Sequence, residues 1–123
     1  SKDKGQTWEG LRPLDELGPI GVFPSLVSLD CGLLGLSYGR PGVHLTFSLD
    51  GTGHSWVKPI TILPGDRDLL STKTDGYTDL IPIGPDEFLL AYTDFETKDE
   101  MGRHRKAVLV RRVWISRSTG GVI

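Results

Sequence analysis

Two stretches of the chain share one register. Ser25-Leu26-Val27-Ser28-Leu29-Asp30 aligns with Asp79-Leu80-Ile81-Pro82-Ile83-Gly84, and the match runs without a gap through Leu36 and Tyr38 to Leu90 and Tyr92, an offset of 54 residues. A sequence that repeats at a fixed period encodes a unit that cannot bury its apolar face alone and must stack on its neighbour. The apolar and β-branched content of both stretches predicts strands rather than helices. Sixteen Gly and eight Pro supply many turns, so the expected class is all-β.

On this frame the strands of the first unit fall at Pro24–Leu29, Leu33–Tyr38, Val43–Ser48 and Trp56–Leu63, with Asp30-Cys31-Gly32 as a turn. Those of the second fall at Thr78–Ile83, Glu87–Phe95 and Lys106–Ile115, with Gly84-Pro85-Asp86 as its first turn. The charged segment Glu96–Arg105 is expected to be a long exposed loop, and Trp8 to about Leu14 an outer strand. Residues 24–63 then form one complete four-stranded antiparallel unit, 64–123 most of the next, and 1–23 the edge of a preceding one. A four-stranded repeat of about 50 residues suits the blade of a β-propeller. Propellers close with roughly four to eight blades, so about two blades imply a fragment of a longer protein, its missing blades required to cover apolar faces and strand edges.

Ser1-Lys2-Asp3-Lys4-Gly5-Gln6-Thr7-Trp8 has the order Ser-x-Asp-x-Gly-x-Thr-Trp, and a copy stretched by one residue follows at Ser48-Leu49-Asp50-Gly51-Thr52-Gly53-His54-Ser55-Trp56. An Asp side chain can accept from the backbone amides just after it, Gly takes positive φ, and the Trp covers the turn. The pattern resembles the Asp-box of sialidase-like propellers. Ser1, Asp3, Gly5, Trp8, Ser48, Asp50, Gly53 and Trp56 are therefore assigned to structural turns, and neither Asp3 nor Asp50 to catalysis.

The formal charge of −2, from 14 basic and 16 acidic residues, gives no reason to expect nucleic acid. Cys31 stands alone and lacks neighbours at metal-site spacing, so no metal or cofactor is expected and Cys31 reads as a turn or packing residue. No apolar run is long enough to span a bilayer.

Comparing equivalent positions of the two units singles out two side chains. Tyr77 stands where the first unit has Phe23, adding a hydroxyl to a ring, and Arg40 stands where the second has Asp94. From the repeat alone, a core aromatic and a solvated turn arginine remain open readings. Arg40 lies in Tyr38-Gly39-Arg40-Pro41-Gly42-Val43; its constrained backbone and forked donors suit a carboxylate held by two hydrogen bonds. His44 reads as a strand-face residue, His54 and His104 as solvated, and the Arg103-His104-Arg105-Lys106 cluster as a solvated loop offset by Asp94, Glu96, Asp99 and Glu100. Arg111 and Arg112 should point to opposite faces of one strand.

Arg40-Pro41-Gly42-Val43-His44-Leu45-Thr46-Phe47-Ser48-Leu49-Asp50-Gly51 resembles the segment of the sialidase superfamily in which the third arginine of a substrate-binding triad precedes a strand ending in an Asp-box. Asp75-Gly76-Tyr77-Thr78-Asp79-Leu80, followed by Phe88-Leu89-Leu90-Ala91-Tyr92, is similar to the segment carrying that family's nucleophilic tyrosine. Arg40 precedes Tyr77 by 37 residues. The resemblance implies a C-terminal fragment of a six-bladed propeller that removes terminal sialic acid, or a related acidic sugar, from glycoconjugates by a retaining mechanism. Tyr77 would be its nucleophile and Arg40 its carboxylate holder. A neutral phenol avoids the repulsion that a carboxylate nucleophile would meet, but with an ordinary pKa of about 10 it needs a neighbouring base. In the family that base is a Glu from an earlier blade, and no residue here matches it. The two further arginines and the acid/base Asp also lie elsewhere, so the fragment alone should be inactive. An extracellular or periplasmic location follows from the resemblance only. The alternatives are a non-catalytic Asp-box propeller that binds glycans or proteins, and a propeller hydrolase or lyase for another acidic sugar.

Overall fold

Val43-His44-Leu45-Thr46-Phe47-Ser48 alternates large apolar residues with polar ones, so one face of an extended chain is oily and the other hydrophilic. In a computed structural model, which describes residues 1–18, 21–65 and 76–116, that segment is the third of seven strands. They are β1 (Val22–Ser28), β2 (Leu34–Gly39), β3 (Val43–Ser48), β4 (Ile60–Leu63), β5 (Thr78–Gly84), β6 (Glu87–Lys98) and β7 (His104–Trp114). A single 3₁₀ turn, Asp15–Leu17, is the only helical element among the described residues. The fold is all-β, with two antiparallel sheets ordered β1-β2-β3-β4 and β5-β6-β7.

The sheets pack face to face. Val27, Leu29, Val43, Leu45 and Phe47 of the first meet Leu80, Phe88, Leu90 and Tyr92 of the second, and Phe88 and Leu90 are wholly buried. Each such apolar side chain contributes about 1.5–3 kcal/mol on leaving water. On the outer face of the first sheet, Leu36 and Tyr38 pack under Leu17, with Leu14 and Trp56 beside them. Tyr38 donates its hydroxyl to the Leu17 carbonyl at 2.9 Å, and burial raises its pKa above the ordinary phenol value.

Three elements depart from the sequence reading. Residues 8–14 form no strand: Gly10 has φ 73° and Pro13 lacks an N–H, so the segment cannot run as a regular ladder, and Leu11 is fully exposed. The fourth strand begins at Ile60 rather than Trp56; Pro59 has no amide to donate, and Val57 meets β3 outside a regular ladder, its amide donating to the Phe47 carbonyl (2.9 Å) and its carbonyl accepting from the Thr46 hydroxyl (2.5 Å). Half of the segment Glu96–Arg105 is strand, with β6 and β7 continuing to a turn around Asp99. Asp99 accepts from the backbone of Met101 and Arg103 (both 2.9 Å) and from the guanidinium nitrogens Nε of Arg103 (3.0 Å) and Arg105 (2.9 Å), while Gly102 takes φ 76°. These bonds hold the Asp99 carboxyl below its ordinary range, the Arg103 amide being the largest cause. His104 therefore opens β7, opposite Lys98.

In both Ser-x-Asp turns the serine hydroxyl bridges the Asp carboxylate and a glycine amide, while the Asp bonds reach four residues on in the first turn and two in the second. Ser1 and Ser48 donate to the carboxylates of Asp3 and Asp50 (2.9 and 3.0 Å) and accept from the amides of Gly5 and Gly53 (2.8 and 3.0 Å). The Asp carboxylates in turn accept from the amides of Thr7 and Thr52 (2.8 and 3.0 Å). The tryptophans differ: Trp56 packs into the Leu36–Tyr38 cluster, whereas Trp8 is 80% exposed.

Candidate functional site at the entry of β1 and β5

β1 and β5 lie next to each other, and their first residues meet the turn between β2 and β3 at one end of the two sheets. Glycine makes this approach possible. A Cβ on Gly39 would lie 2.0 Å from the Gly76 carbonyl oxygen, and one on Gly76 would lie 2.4 Å from the Arg40 amide nitrogen. With backbones this close, the side chains of the flanking residues are forced together. The Phe23 and Tyr77 ring centroids are 4.3 Å apart with planes inclined at 41°, and the Arg40 guanidinium carbon lies 5.9 Å from the Tyr77 ring centroid.

The backbone at this end is under strain. Phe23 (φ 51°) and Arg40 (φ 56°) both occupy the left-handed region, which costs a residue with a Cβ roughly 1–2 kcal/mol. Bonds between the sheets oppose that cost. Thr78 donates its hydroxyl to the Phe23 carbonyl (2.9 Å) and accepts from the hydroxyl of the wholly buried Ser37 (2.9 Å). One step along, Ser25 donates to Asp79 (2.9 Å), and both accept from the Leu80 amide (3.1 and 2.9 Å). Tyr77 is fixed to β6 by the Thr93 amide on its carbonyl (3.2 Å) and by its own amide on the Thr93 hydroxyl (3.3 Å).

The Arg40 turn is braced from its other side. His44 places Nε2 2.8 Å from the Pro41 carbonyl and Nδ1 3.3 Å from the Thr61 hydroxyl. A carbonyl only accepts, so Nε2 carries a proton, and Thr61 fills the Nδ1 position. Both ring nitrogens of His44 are thereby engaged in holding the turn. Beside Tyr77, a shallow concavity of about 180 Å³ opens between Asp79, Ala91, Thr93 and Val108.

The remaining candidates lie away from this point. β3 runs from the Arg40 turn to the second Ser-x-Asp turn, so Ser48 sits at the opposite end of the sheet, about 17–20 Å off at 3.3 Å per residue, with Asp50 and Gly53 in the turn beyond it, while Trp56 returns along β3 to the Leu36–Tyr38 cluster. The first turn, Ser1, Asp3, Gly5 and Trp8, belongs to the N-terminal segment, which Arg12 joins to the His54 carbonyl at 2.9 Å. Arg111 donates to the Tyr92 hydroxyl at 3.0 Å on the face towards the first sheet, while Arg112 pairs with Glu87 on the other. Asp75 lies outside the described residues, as do parts of the predicted units 1–23 and 64–123. No cluster of His, Cys, Asp or Glu able to hold a metal ion occurs among the described residues, and no described helix is long and apolar enough to cross a membrane. Cys31 forms no disulfide; its amide donates to the Pro85 carbonyl at 2.9 Å, tying the turns of the two units together.

Phe23 and Thr78 carry no motif of their own in the sequence, where Phe23 stands out only as the counterpart of Tyr77. The repeat contained the signal for Phe23, because equivalent residues of stacked units lie side by side. The assembly places a guanidinium beside the ring of a tyrosine that is 42% exposed. Comparisons with protein families, with curated proteins and with solved structures found no match.

Proposed function

We propose that the chain forms part of a six-bladed, sialidase-like propeller and contributes to a glycosidase acting on terminal sialic acid or a related acidic sugar. The observation that carries this reading is the meeting of Arg40 and Tyr77, guanidinium carbon 5.9 Å from the ring centroid, at one end of two stacked sheets. In the proposed reaction Arg40 holds the sugar carboxylate by a bidentate, charge-assisted contact. The Tyr77 oxygen attacks the anomeric carbon as its proton passes to a carboxylate base. The bond to the leaving oxygen breaks as that oxygen takes a proton from an acid, and water then releases the sugar from the tyrosyl glycoside intermediate. The base, the acid and two further arginines come from other blades.

The propeller reading is supported by how the repeated faces are used. Val27 and Leu29, buried at 3% and 4% against the second sheet, correspond to Ile81 and Ile83, which are 51% and 45% exposed. Conversely Leu80, 6% exposed against the first sheet, corresponds to Leu26, 60% exposed. Each unit thus uses one face to cover the opposite face of the next. Such head-to-tail contacts build rings when the rotation closes.

The test is hydrolysis of an aryl sialoside by the full-length protein and its Tyr77→Phe variant. Loss of the nucleophilic oxygen should lower kcat by about 10³-fold or more with the fold intact. Unchanged turnover removes Tyr77 as nucleophile. Aryl uronosides in the same assay decide which acidic sugar is taken.

A further inference from the structure

Phe23 is in an unusual position for a large apolar residue. It is 53% exposed, so it is not held by a core, and its φ of 51° is one that a bulky side chain avoids. Its ring nevertheless lies 4.3 Å from that of Tyr77, its counterpart at the 54-residue offset. A strained residue persists where its surroundings over-determine it. Here the Thr78 hydroxyl, itself receiving a hydrogen bond from buried Ser37, grips the Phe23 carbonyl. Thr78 directly follows Tyr77, so the same residue fixes the backbone of both rings.

We infer that Phe23 is a positioning residue for Tyr77. Its ring is a platform that restricts rotation of the phenol and holds the hydroxyl where Arg40 presents the substrate. This rests on the reading of Tyr77 as nucleophile. A nucleophile displaced by about 1 Å can lose about 10²-fold in rate, and an exposed phenol without a stacking partner is free to swing by that much. The repeat has therefore specialised one aromatic position into two roles, chemistry in the second unit and support in the first.

The test uses two variants of the full-length protein. Phe23→Asn removes the ring while keeping a residue that tolerates left-handed backbone, and Phe23→Trp keeps an aromatic face. For Phe23→Asn the expected result is a kcat about 10–100-fold lower, with KM and thermal midpoint little changed. Phe23→Trp should recover most of the rate. In parallel, proton NMR of the Tyr77 ring, assigned by its loss in Tyr77→Phe, should show an upfield ring-current shift that disappears in Phe23→Asn and remains in Phe23→Trp. Unchanged kcat in Phe23→Asn, or a loss that Phe23→Trp does not repair, overturns the inference. If the wild-type protein cleaves no acidic glycoside, the proposed function fails by itself. The NMR comparison still decides the positioning role, and a Tyr77 resonance indifferent to the Phe23 substitutions rejects it.

Discussion

Arg40 is aimed by its backbone before its side chain makes any contact. A left-handed φ of 56°, a bond from its amide to the Gly42 carbonyl (3.0 Å) and the His44 brace under Pro41 direct it towards Tyr77. If it holds a carboxylate through both arms of its fork, Arg40→Lys retains the charge and loses one charge-assisted bond, worth about 1.5–3 kcal/mol. The expected result in Michaelis kinetics of the full-length protein is a KM at least about ten times higher and a smaller change in kcat. The turn at the opposite end is governed by proton linkage. Bonds from the Thr52 amide, the Thr52 hydroxyl and the Ser48 hydroxyl, in that order, hold the Asp50 carboxyl below its ordinary range. A depressed folded-state pKa stabilises above the unfolded value of about 3.9 and ceases to do so as pH falls through the folded value. Asp50→Asn should therefore be less stable than wild type at pH 7 by urea denaturation, with the difference shrinking below about pH 4. At this scale the sequence revealed which residues to compare, because an extra hydroxyl and an unmatched arginine stand out against a repeat. It did not reveal the Phe23–Tyr77 contact, which depends on a positive φ at a residue that is neither Gly nor Asn.

At the scale of strands, legibility followed the strength of local punctuation. β3 was readable to the residue because Pro41-Gly42 stops the chain on one side, the Ser48 turn on the other, and apolar residues alternate cleanly between. Residues 8–14 were misread because a Trp and two Leu resemble a strand only if a neighbouring strand exists to receive them. The hairpin Glu96–Arg105 was misread in the opposite sense. Its charges suggested a loop, but a two-stranded arm whose side chains face water on both sides has no need of apolar alternation, and Asp99 supplies the turn. Two substitutions test the elements that set the site. Leu90→Ala opens a cavity at the wholly buried centre between the sheets and should cost about 2–5 kcal/mol in denaturant unfolding. Gly39→Ala puts a methyl group 2.0 Å from the Gly76 oxygen. Only a backbone shift relieves that, so a loss of about 1–3 kcal/mol is expected, accompanied by movement of the Tyr77 ring resonances as the two strand entries separate.

For the whole molecule, the decisive surface is the outer face of the second sheet. Ile81, Ile83, Val108, Val110 and Trp114 are between 45% and 72% exposed there, a group of exposed apolar side chains around the Arg112–Glu87 pair, of the kind that marks a contact rather than a solvated surface. The internal repeat says what should cover it, because the equivalent face of the first sheet is covered by a sheet. Two arrangements predict different costs for one substitution. If the face is open to water in the full-length protein, Ile81→Asp changes stability by no more than about 0.5 kcal/mol. If another unit packs on it as the second sheet packs on Val27, the same change buries an unpaired carboxylate and should cost about 3–5 kcal/mol. Stacking of repeated units requires the second result, and with it a penalty for Ile81→Asp that falls as the carboxyl is protonated at acid pH. Urea unfolding of the full-length protein and the variant at neutral and acid pH measures both. Ser28→Asp, on the opposite side of β1 from buried Val27 and exposed itself, provides the reference for a charge added to the equivalent strand without that burial.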